Sequence, residues 1–318
     1  MGARLIHVTR RPAKRPARAI LVAAAFVALA VAAARARGQA EVLTRTEEPR
    51  PCPPPSDLPA YSHNDERRGR ALEEALRLGY AGVEVDLHYR GGKLLVGHDL
   101  EETRPGRTFE SCYLAPLAAI AKRCGGIRQG GAPLLLLVDL KTKGMPGYRA
   151  LCAALAAESA LVTRYRLGGE APTAIGPVTV LLVGWIPPLD SLRAEEVRYV
   201  SAHRPLGTGD RAGKTSSGPE ALDRLETMVS LDASKLPRWS GTGAAPRAWD
   251  VAFEGMRKAA AGPGLLMRIA RVHHLPVNAR VYEYALSRGA DLIGTEALEA
   301  SRPLLLSGRP LPGKRSDQ

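Results

Sequence analysis

Six polar side chains of the kinds that bind metal ions and move protons lie where predicted strands end. They are His63, Glu84, Asp86, His98, Asp139 and Lys141. Residues i and i+2 of a strand point to the same side, so Glu84 and Asp86 should project together. The same spacing pairs Asp139 with Lys141. Three converging carboxylates repel one another unless a cation neutralises them. The spacing therefore predicts that the three carboxylates share one cation site.

The residue types indicate what chemistry such a site would perform. A hard divalent cation, Mg²⁺ or Ca²⁺, suits three carboxylates better than zinc does, because it prefers oxygen ligands and keeps positions for water and phosphate. The two histidines suit general acid–base catalysis near neutral pH. Lys141 suits a phosphate oxygen, and Asn64 suits a hydrogen bond to the phosphate or to His63. Together these residues predict a metal-assisted acid–base site that suits a phosphate group or another developing negative charge.

Alternating strands and helices are expected to position these side chains. The predicted strands cover residues 81–89, 93–96, 134–140, 178–183, 197–201, 228–231 and 292–294. The predicted helices cover residues 67–78, 147–157, 247–273 with a break at 262–264, 281–287, and a last helix from 296. This alternation predicts a parallel sheet covered by helices, either a closed barrel or an open doubly wound sheet.

Two observations favour the barrel. Neither GxGxxG nor GxxxxGK[ST] is present, which weakens the nucleotide-binding form of an open sheet. In a TIM (β/α)8 barrel the active-site groups lie at the carboxyl ends of the strands, where the six residues fall. Residues 60–306 are therefore predicted to form one α/β barrel of the TIM type.

The basic charge is concentrated at the N-terminus. The formal net charge is +13, and residues 1–40 hold eight Lys or Arg and no acid, which leaves +5 for residues 41–318. That remaining part shows no basic face with interleaved aromatic residues, which argues against a nucleic-acid partner.

The N-terminal segment is typical of a targeting sequence. Residues 19–34 form an uninterrupted apolar run of 16 residues. This is short for a membrane span of roughly 20 but right for the core of a signal peptide. We expect residues 1–40 to direct export to the periplasm or outside the cell, or else to anchor the protein in a membrane. Residues 41–59 are predicted to be a Pro-rich linker and residues 307–318 a basic polar tail.

The chain has four cysteines, Cys52, Cys112, Cys124 and Cys152, and no CxxC pair, so a zinc ribbon or redox motif has no support. In an exported protein Cys112 and Cys124 are the expected disulfide partners, since they flank a loop-rich stretch. Free buried thiols are the alternative.

Several residues are weaker candidates. His88 lies on the same predicted strand face as Asp86 and is expected behind the site or in a loop. Candidates for lining a substrate pocket near later strand ends are Trp185, Asp232 and Trp239. Residues 203–218 are rich in Gly, Ser and Thr and are expected to form a loop, with a mobile lid as the alternative.

Four segments resemble the phosphatidylinositol phospholipase C-like phosphodiesterases, which include glycerophosphodiester phosphodiesterases and sphingomyelinase D. They are Ser-His-Asn-Asp (62–65), Gly-Val-Glu-Val-Asp-Leu (82–87), Leu-Leu-Val-Gly-His-Asp (94–99) and Val-Asp-Leu-Lys-Thr (138–142). Residues 289–296 are similar to the last strand of that superfamily. The Ser-His-Asn-Asp start and the Gly-His-Asp segment are most similar to the altered inheritance of mitochondria protein family.

The resemblance implies a PLC-like TIM barrel and a phosphoric diester hydrolase. It implies these roles: His63 and His98 as the acid/base pair, Glu84, Asp86 and Asp139 as metal ligands, and Lys141 on the phosphate. Asp139 stands where glycerophosphodiester phosphodiesterases usually have Glu, and is closer to sphingomyelinase D. His63-Asn64-Asp65 stands where they usually have His-Arg-Gly. The implied substrate is a glycerophosphodiester or a phospholipid head group, which would bring the protein to a membrane surface.

Two other functions are open. A barrel of this shape can bind a phospho-ligand without catalysis, although a complete acid/base and metal set argues against this. Paired carboxylates also serve glycoside hydrolases on barrels, but the two histidines and Lys141 fit that chemistry less well.

Overall fold

The computed structural model describes residues 51–56, 58–166, 172–206, 225–260 and 269–306. The predicted signal or anchor segment (1–40) and the predicted tail (307–318) lie outside these ranges, as does most of the segment 203–218. Within the described ranges, no helix has both the length and the apolar character needed to cross a bilayer.

Eleven strands are present in the described residues. They are β1 (Leu58–Ser62), β2 (Tyr80–Arg90), β3 (Lys93–Val96), β4 (Leu134–Leu140), β5 (Tyr165–Arg166), β6 (Val178–Gly184), β7 (Val197–Arg198), β8 (Val200–Pro205), β9 (Glu226–Asp232), β10 (Ile269–His273) and β11 (Leu292–Thr295). Seven α-helices accompany them: α1 (Glu73–Arg77), α2 (Ala115–Cys124), α3 (Met145–Ala157), α4 (Leu189–Arg193), α5 (Arg247–Ala260), α6 (Ala279–Ser287) and α7 (Leu298–Leu305).

Eight of the strands close into a parallel barrel in the order β1-β2-β4-β6-β8-β9-β10-β11, and β11 pairs again with β1. The predicted TIM-type barrel is confirmed. β3 runs antiparallel to β2, and the hairpin turns at Gly91 and Gly92, which both have positive φ. β5 and β7 form a separate two-stranded ribbon.

Two apolar layers explain why these strands form. One layer lies between the barrel and its helices, and it takes alternate residues such as Val83, Val85 and Val138. The other fills the barrel interior and contains Tyr61, Ala81, Leu137, Leu181, Val183, Met228, Ile269 and Leu292. Strand side chains alternate with period 2, so the next inward positions after several of these residues are polar. The polar positions lie at the carboxyl ends of the strands, where TIM barrels carry their sites.

The disulfide joins Cys52 to Cys124, with the two Cα atoms 5.8 Å apart. The expected Cys112–Cys124 bond is therefore wrong, and Cys112 and Cys152 are free thiols. A π-helical turn over Glu110–Leu114 runs directly into α2, so Cys112 and Cys124 lie on one continuous rod. Twelve residues of helix span ~18 Å, whereas a disulfide needs Cα atoms within about 7 Å.

The predicted helix over residues 247–273 is also wrong in part. Its first half is α5, but Ile269–His273 is the barrel strand β10. β10 pairs in parallel with β9 on one side and β11 on the other. This misassignment matters for the site, because β10 carries Arg271 and His273.

Candidate active site

A pocket of about 290 Å³ opens at the carboxyl ends of the barrel strands. Six of the seven predicted site residues line it: His63, Asn64, Glu84, His98, Asp139 and Lys141. The seventh, Asp86, is buried and forms an ion pair with Lys141. Of the weaker candidates, Asp232 lines the pocket, whereas Trp239 packs against Trp249 and Tyr284 elsewhere. Trp185 is not among the lining residues.

Three carboxylates converge as the spacing predicted. Glu84, Asp86 and Asp139 each offer an oxygen, and these three atoms lie within 4.8 Å of one another. Asp86 and Asp139 are register partners on β2 and β4, which explains their closeness. Burial, together with the neighbouring Asp139, raises the pKa of Asp86 to about 7. Asp86 Oδ1 is buried and accepts no hydrogen bond from the residues that the structure describes.

Two cations of the chain contact this cluster. Lys141 Nζ lies 2.8 Å from Asp139 Oδ2 and 3.0 Å from Asp86 Oδ2. Arg271 Nη2 donates to both oxygens of Glu84, at 3.0 and 3.1 Å. When all three carboxylates are ionised, these two cations leave one negative charge. A divalent cation together with a phosphodiester monoanion would bring the total to zero, so the donor set fits a hard metal ion.

Arg271 is held rigidly beneath the pocket. It is buried, its Nε donates to Tyr61 Oη at 2.6 Å, and its guanidinium lies over the Tyr61 ring at 4.9 Å. A bidentate arginine–carboxylate pair fixes orientation as well as charge, so Glu84 is held in place from below.

Gly184 ends β6 beside Asp139. Its φ is +72°, and a Cβ added there would overlap Asp139 Oδ1. Only glycine allows the backbone to approach this carboxylate so closely.

His63 lies between two carboxylates. Its Nδ1 lies 3.1 Å from Glu296 Oε1, and its Nε2 lies 3.5 Å from Glu84 Oε2. Burial is the main cause that lowers the pKa of His63, which favours the neutral imidazole. Asn64 Nδ2 donates to the same Glu296 oxygen at 2.9 Å. Asn64 therefore contacts the same carboxylate as His63, and its predicted hydrogen bond to the phosphate or to His63 stays a prediction.

The rest of the Ser-His-Asn-Asp segment is structural. Asp65 is fully buried and accepts hydrogen bonds from Ser62 Oγ, the Leu72 backbone N–H and Tyr113 Oη. These contacts fix the turn after β1, in which Asn64 has φ 49°.

His98 is more accessible than His63, with a side chain 33% exposed. Its Nε2 lies 3.9 Å from Asp86 Oδ2. Its Nδ1 lies 3.2 Å from both Arg67 Nη2 and Asp99 Oδ1. His88 Nε2 donates to the His98 carbonyl at 3.2 Å, so His88 supports the His98 backbone from behind.

Seven further polar residues of the site, within the part of the chain that the structure describes, were not among the predicted site residues. They are His203, Ser230, Lys235, Arg271, His273, His274 and Glu296. His203 Nδ1 donates to the Leu182 carbonyl at 3.2 Å, and burial lowers the pKa of His203 to about 4. The adjacent His273 and His274 were visible in the sequence, but their assignment to a helix hid their position at a strand end.

Comparison with known proteins finds a family match over the part of the chain that carries His63, Asn64, Glu84, Asp86 and His98. Residues 56–131 match the AIM6-like phosphodiesterase domain. The predicted resemblance is confirmed. An altered inheritance of mitochondria protein 6 homolog from Arthroderma benhamiae is 27% identical over an alignment of 150 residues that covers 41% of this chain and 48% of that protein. The match thus spans about half the length of that relative.

Solved structures show the same barrel. A Ca²⁺-dependent phosphatidylinositol-specific phospholipase C from Streptomyces antibioticus aligns with a TM-score of 0.50 and 13% identity, covering 80% of this chain and 97% of its own. A glycerophosphodiester phosphodiesterase from Agrobacterium tumefaciens aligns with a TM-score of 0.44 and 15% identity, covering 77% of this chain and 97% of its own. The barrel of this chain is therefore similar in fold to that of the phospholipase C.

Proposed function

We propose that this AIM6-like barrel is a metal-dependent phosphoric diester hydrolase that acts on a glycerophosphodiester or a phospholipid head group. One observation carries the proposal. Two histidines lie on either side of a three-carboxylate cluster, with Lys141 beside it, in one pocket. The pocket volume of about 290 Å³ is close to the lower end of the range of small-molecule sites.

Glu84, Asp86 and Asp139 would hold Mg²⁺ or Ca²⁺. When bound, such an ion stabilises negative charge on the phosphoryl oxygens. Lys141 adds a second positive charge next to the same oxygens, because its Nζ lies between two of the carboxylates.

His63 acts as the general base. Its Nδ1–H donates to Glu296, which leaves Nε2 unprotonated and facing the cluster. The lowered pKa keeps it neutral and ready to accept a proton. Nε2 removes the proton from a water or a substrate hydroxyl as that oxygen forms its bond to phosphorus.

His98 acts as the general acid. It is the more exposed of the two histidines, on the side where a leaving group can reach solvent. Asp99 Oδ1 and Arg67 Nη2 both lie 3.2 Å from its Nδ1 and orient the ring. His98 gives its Nε2 proton to the leaving oxygen as the old phosphorus–oxygen bond breaks, so both protons are accounted for.

We also propose that the protein is exported, with residues 1–40 as a signal peptide or, alternatively, as a membrane anchor. The Cys52–Cys124 disulfide supports export, since such bonds form and persist in oxidising compartments. Sequencing the N-terminus of the protein recovered from its native host tests this, because an intact Met1 in the cytosolic fraction contradicts it.

The enzymatic proposal is tested by a substrate screen. The probes are bis-p-nitrophenyl phosphate, glycerophosphocholine, lysophosphatidylcholine and phosphatidylinositol, with ³¹P NMR to distinguish cyclic from hydrolysed products. We expect turnover that EDTA abolishes and that His63→Ala removes for every substrate. His98→Ala should cost much less with the p-nitrophenyl ester, because p-nitrophenolate leaves without a proton.

Two results would overturn the proposal. Full activity of both histidine variants would show that His63 and His98 are not the acid/base pair. Tight binding of these compounds with no turnover under any metal would instead support a non-catalytic phospho-ligand-binding barrel.

A further inference from the structure

A second group of metal-ligating side chains lies in the same pocket, on strands that the acidic cluster does not use. Asp232 ends β9 and His273 ends β10, and the two are register partners in the parallel sheet. His274 follows directly. One nitrogen from each histidine and one Asp232 oxygen lie within 4.8 Å of one another.

The backbone is bent so that both histidines face Asp232. Consecutive residues of a strand point to opposite sides, yet the rings of His273 and His274 lie 4.6 Å apart. The cause is a left-handed backbone at His274, with φ 60°, which is uncommon for a residue other than glycine. His274 Nδ1 thereby comes within 2.9 Å of Asp232 Oδ1, and His273 Nε2 within 3.9 Å of it.

Other contacts orient Asp232, and the Lys235 ammonium lies 3.7 Å from its Oδ2. The Ser234 backbone N–H and Oγ both donate to Asp232 Oδ1, which orients the carboxylate. Hydrogen bonds of this kind commonly orient the ligands of a metal. His273 is mostly buried, and its Nδ1 has no hydrogen-bond partner among the residues that the structure describes. The surrounding packed residues therefore hold its imidazole more than hydrogen bonds do.

The donor set differs in kind from the acidic cluster. Two imidazole nitrogens and one carboxylate oxygen suit a transition-metal dication such as Zn²⁺, whereas three carboxylates suit Mg²⁺ or Ca²⁺. The two groups share no residue. His63 lies between them, with its ring 5.0 Å from that of His274 and its Nε2 3.5 Å from Glu84.

We propose that Asp232, His273 and His274 form a second metal site, selective for Zn²⁺-type dications, in the wall of the same pocket. Three protein ligands leave a coordination position open toward the pocket, which is typical of zinc sites that bind water or substrate. The barrel mouth would then hold two different metals, one hard and one borderline, on either side of His63.

The test measures zinc binding directly. Metal-stripped full-length protein is dialysed against Zn²⁺ in a large excess of Mg²⁺, which occupies the acidic cluster, and bound zinc is counted by mass spectrometry. We expect one equivalent in the wild-type protein. Asp232→Asn and His274→Asn should each weaken binding by at least about tenfold. Asn keeps an acceptor for Ser234 at position 232 and tolerates the left-handed backbone at position 274.

A matched variant separates the two sites. Glu84→Gln removes a ligand of the acidic cluster and should leave zinc binding unchanged, whether or not the protein hydrolyses a phosphodiester. Co²⁺ in place of Zn²⁺ should give a visible absorption band that Asp232→Asn removes and Glu84→Gln retains. The proposal would be overturned if the wild-type protein bound no zinc. It would also be overturned if the Glu84→Gln variant lost as much bound zinc as the Asp232→Asn variant.

A measurement on the unmutated chain covers the case in which a variant does not fold. Diethyl pyrocarbonate modifies accessible imidazoles, and the His274 side chain is 44% exposed. Zn²⁺ should protect His274 from modification while leaving His88, which lies outside the group, as reactive as before. Equal modification of His274 with and without Zn²⁺ would contradict the site.

Discussion

Glu296 Oε1 lies 3.1 Å from His63 Nδ1, although the two residues are 233 positions apart in the chain. The contact exists because β11 pairs in parallel with β1, so that the last and first strands of the barrel end side by side. The His63 backbone N–H also donates to the Thr295 carbonyl at 3.0 Å. Glu296 therefore orients the imidazole and stabilises it once it is protonated.

We expect Glu296→Gln to lower kcat by about 10- to 100-fold with little change in KM, because glutamine cannot balance the charge of a protonated His63. The limb of the pH–rate profile that reports protonation of the general base His63 should shift as well. Glu299→Gln is the matched control, since Glu299 is an exposed residue three positions later that pairs with Arg77. Equal kcat values for the two variants would show that Glu296 has no positioning role.

Gly184→Ala should weaken metal binding. The new methyl group would overlap Asp139 Oδ1 and displace that carboxylate from Glu84 and Asp86. Gly243→Ala is the control, because Gly243 has a similar φ of +69° but open space around its Cα. Both changes carry the cost of a left-handed alanine, about 1 kcal/mol. Only Gly184→Ala should raise the metal dissociation constant measured by calorimetry. A similar rise in both variants would show that Gly184 is not needed to position Asp139.

Lys141→Met should separate binding of the metal from catalysis. The Lys141 ammonium contacts the same Asp86 and Asp139 oxygens that a metal would use, so its removal should tighten Mg²⁺ or Ca²⁺ binding. The rate should nevertheless fall, because a positive charge next to the phosphate is lost. Titration calorimetry and initial rates on one protein preparation measure both effects. Lys143 is exposed, and Lys143→Met provides the control. Weaker metal binding in Lys141→Met would show that the Lys141 ammonium does not compete with the metal for the Asp86 and Asp139 oxygens.

His203 should make stability depend on pH. Its pKa in the folded protein is lowered by burial to about 4, below the ordinary 6.5, so the unfolded chain binds the proton more readily. Neutral His203 therefore adds about 3 kcal/mol to the free energy of unfolding above pH 6.5. This contribution is lost as the pH falls from 6.5 to 4. His203→Asn keeps a donor for the Leu182 carbonyl and cannot titrate. Urea unfolding at several pH values should show a smaller decline for the variant, and parallel curves would refute this.

Loss of the disulfide should destabilise the barrel. Cys52 and Cys124 are 72 positions apart, and closing a loop of that length lowers the entropy of the unfolded chain by an amount worth about 4 kcal/mol. Cys52→Ser should therefore lower the melting temperature, while Cys112→Ser, which changes a free thiol, should change it little. Melting curves that coincide for the two variants would show that the bond adds no stability.

The sequence predicted the parts of the site that a single strand defines. Glu84 and Asp86 lie two apart on β2, and Asp139 and Lys141 two apart on β4, so a period of two was enough to pair them. Both strands are long and apolar, which also made the barrel predictable.

Residues that depend on tertiary pairing were not predictable in this way. Ile269–His273 has no strict alternation that separates it from a helix, and it is a strand because β9 and β11 offer it hydrogen bonds on both sides. Arg271 was missed for that reason. The His63–Glu296 contact joins the two ends of the barrel, and no local pattern reports it. The disulfide depends on where the Pro-rich segment lies, which its composition does not determine.

The Cys52–Cys124 bond makes the first part of the barrel a covalent ring. Five of the seven predicted site residues lie within it: His63, Asn64, Glu84, Asp86 and His98. The ring also includes the exposed turn at residues 104–106. A protease that cuts this turn breaks the backbone once but releases neither piece. Under oxidising conditions the nicked protein keeps all five residues in one molecule, and only reduction allows the N-terminal fragment to leave.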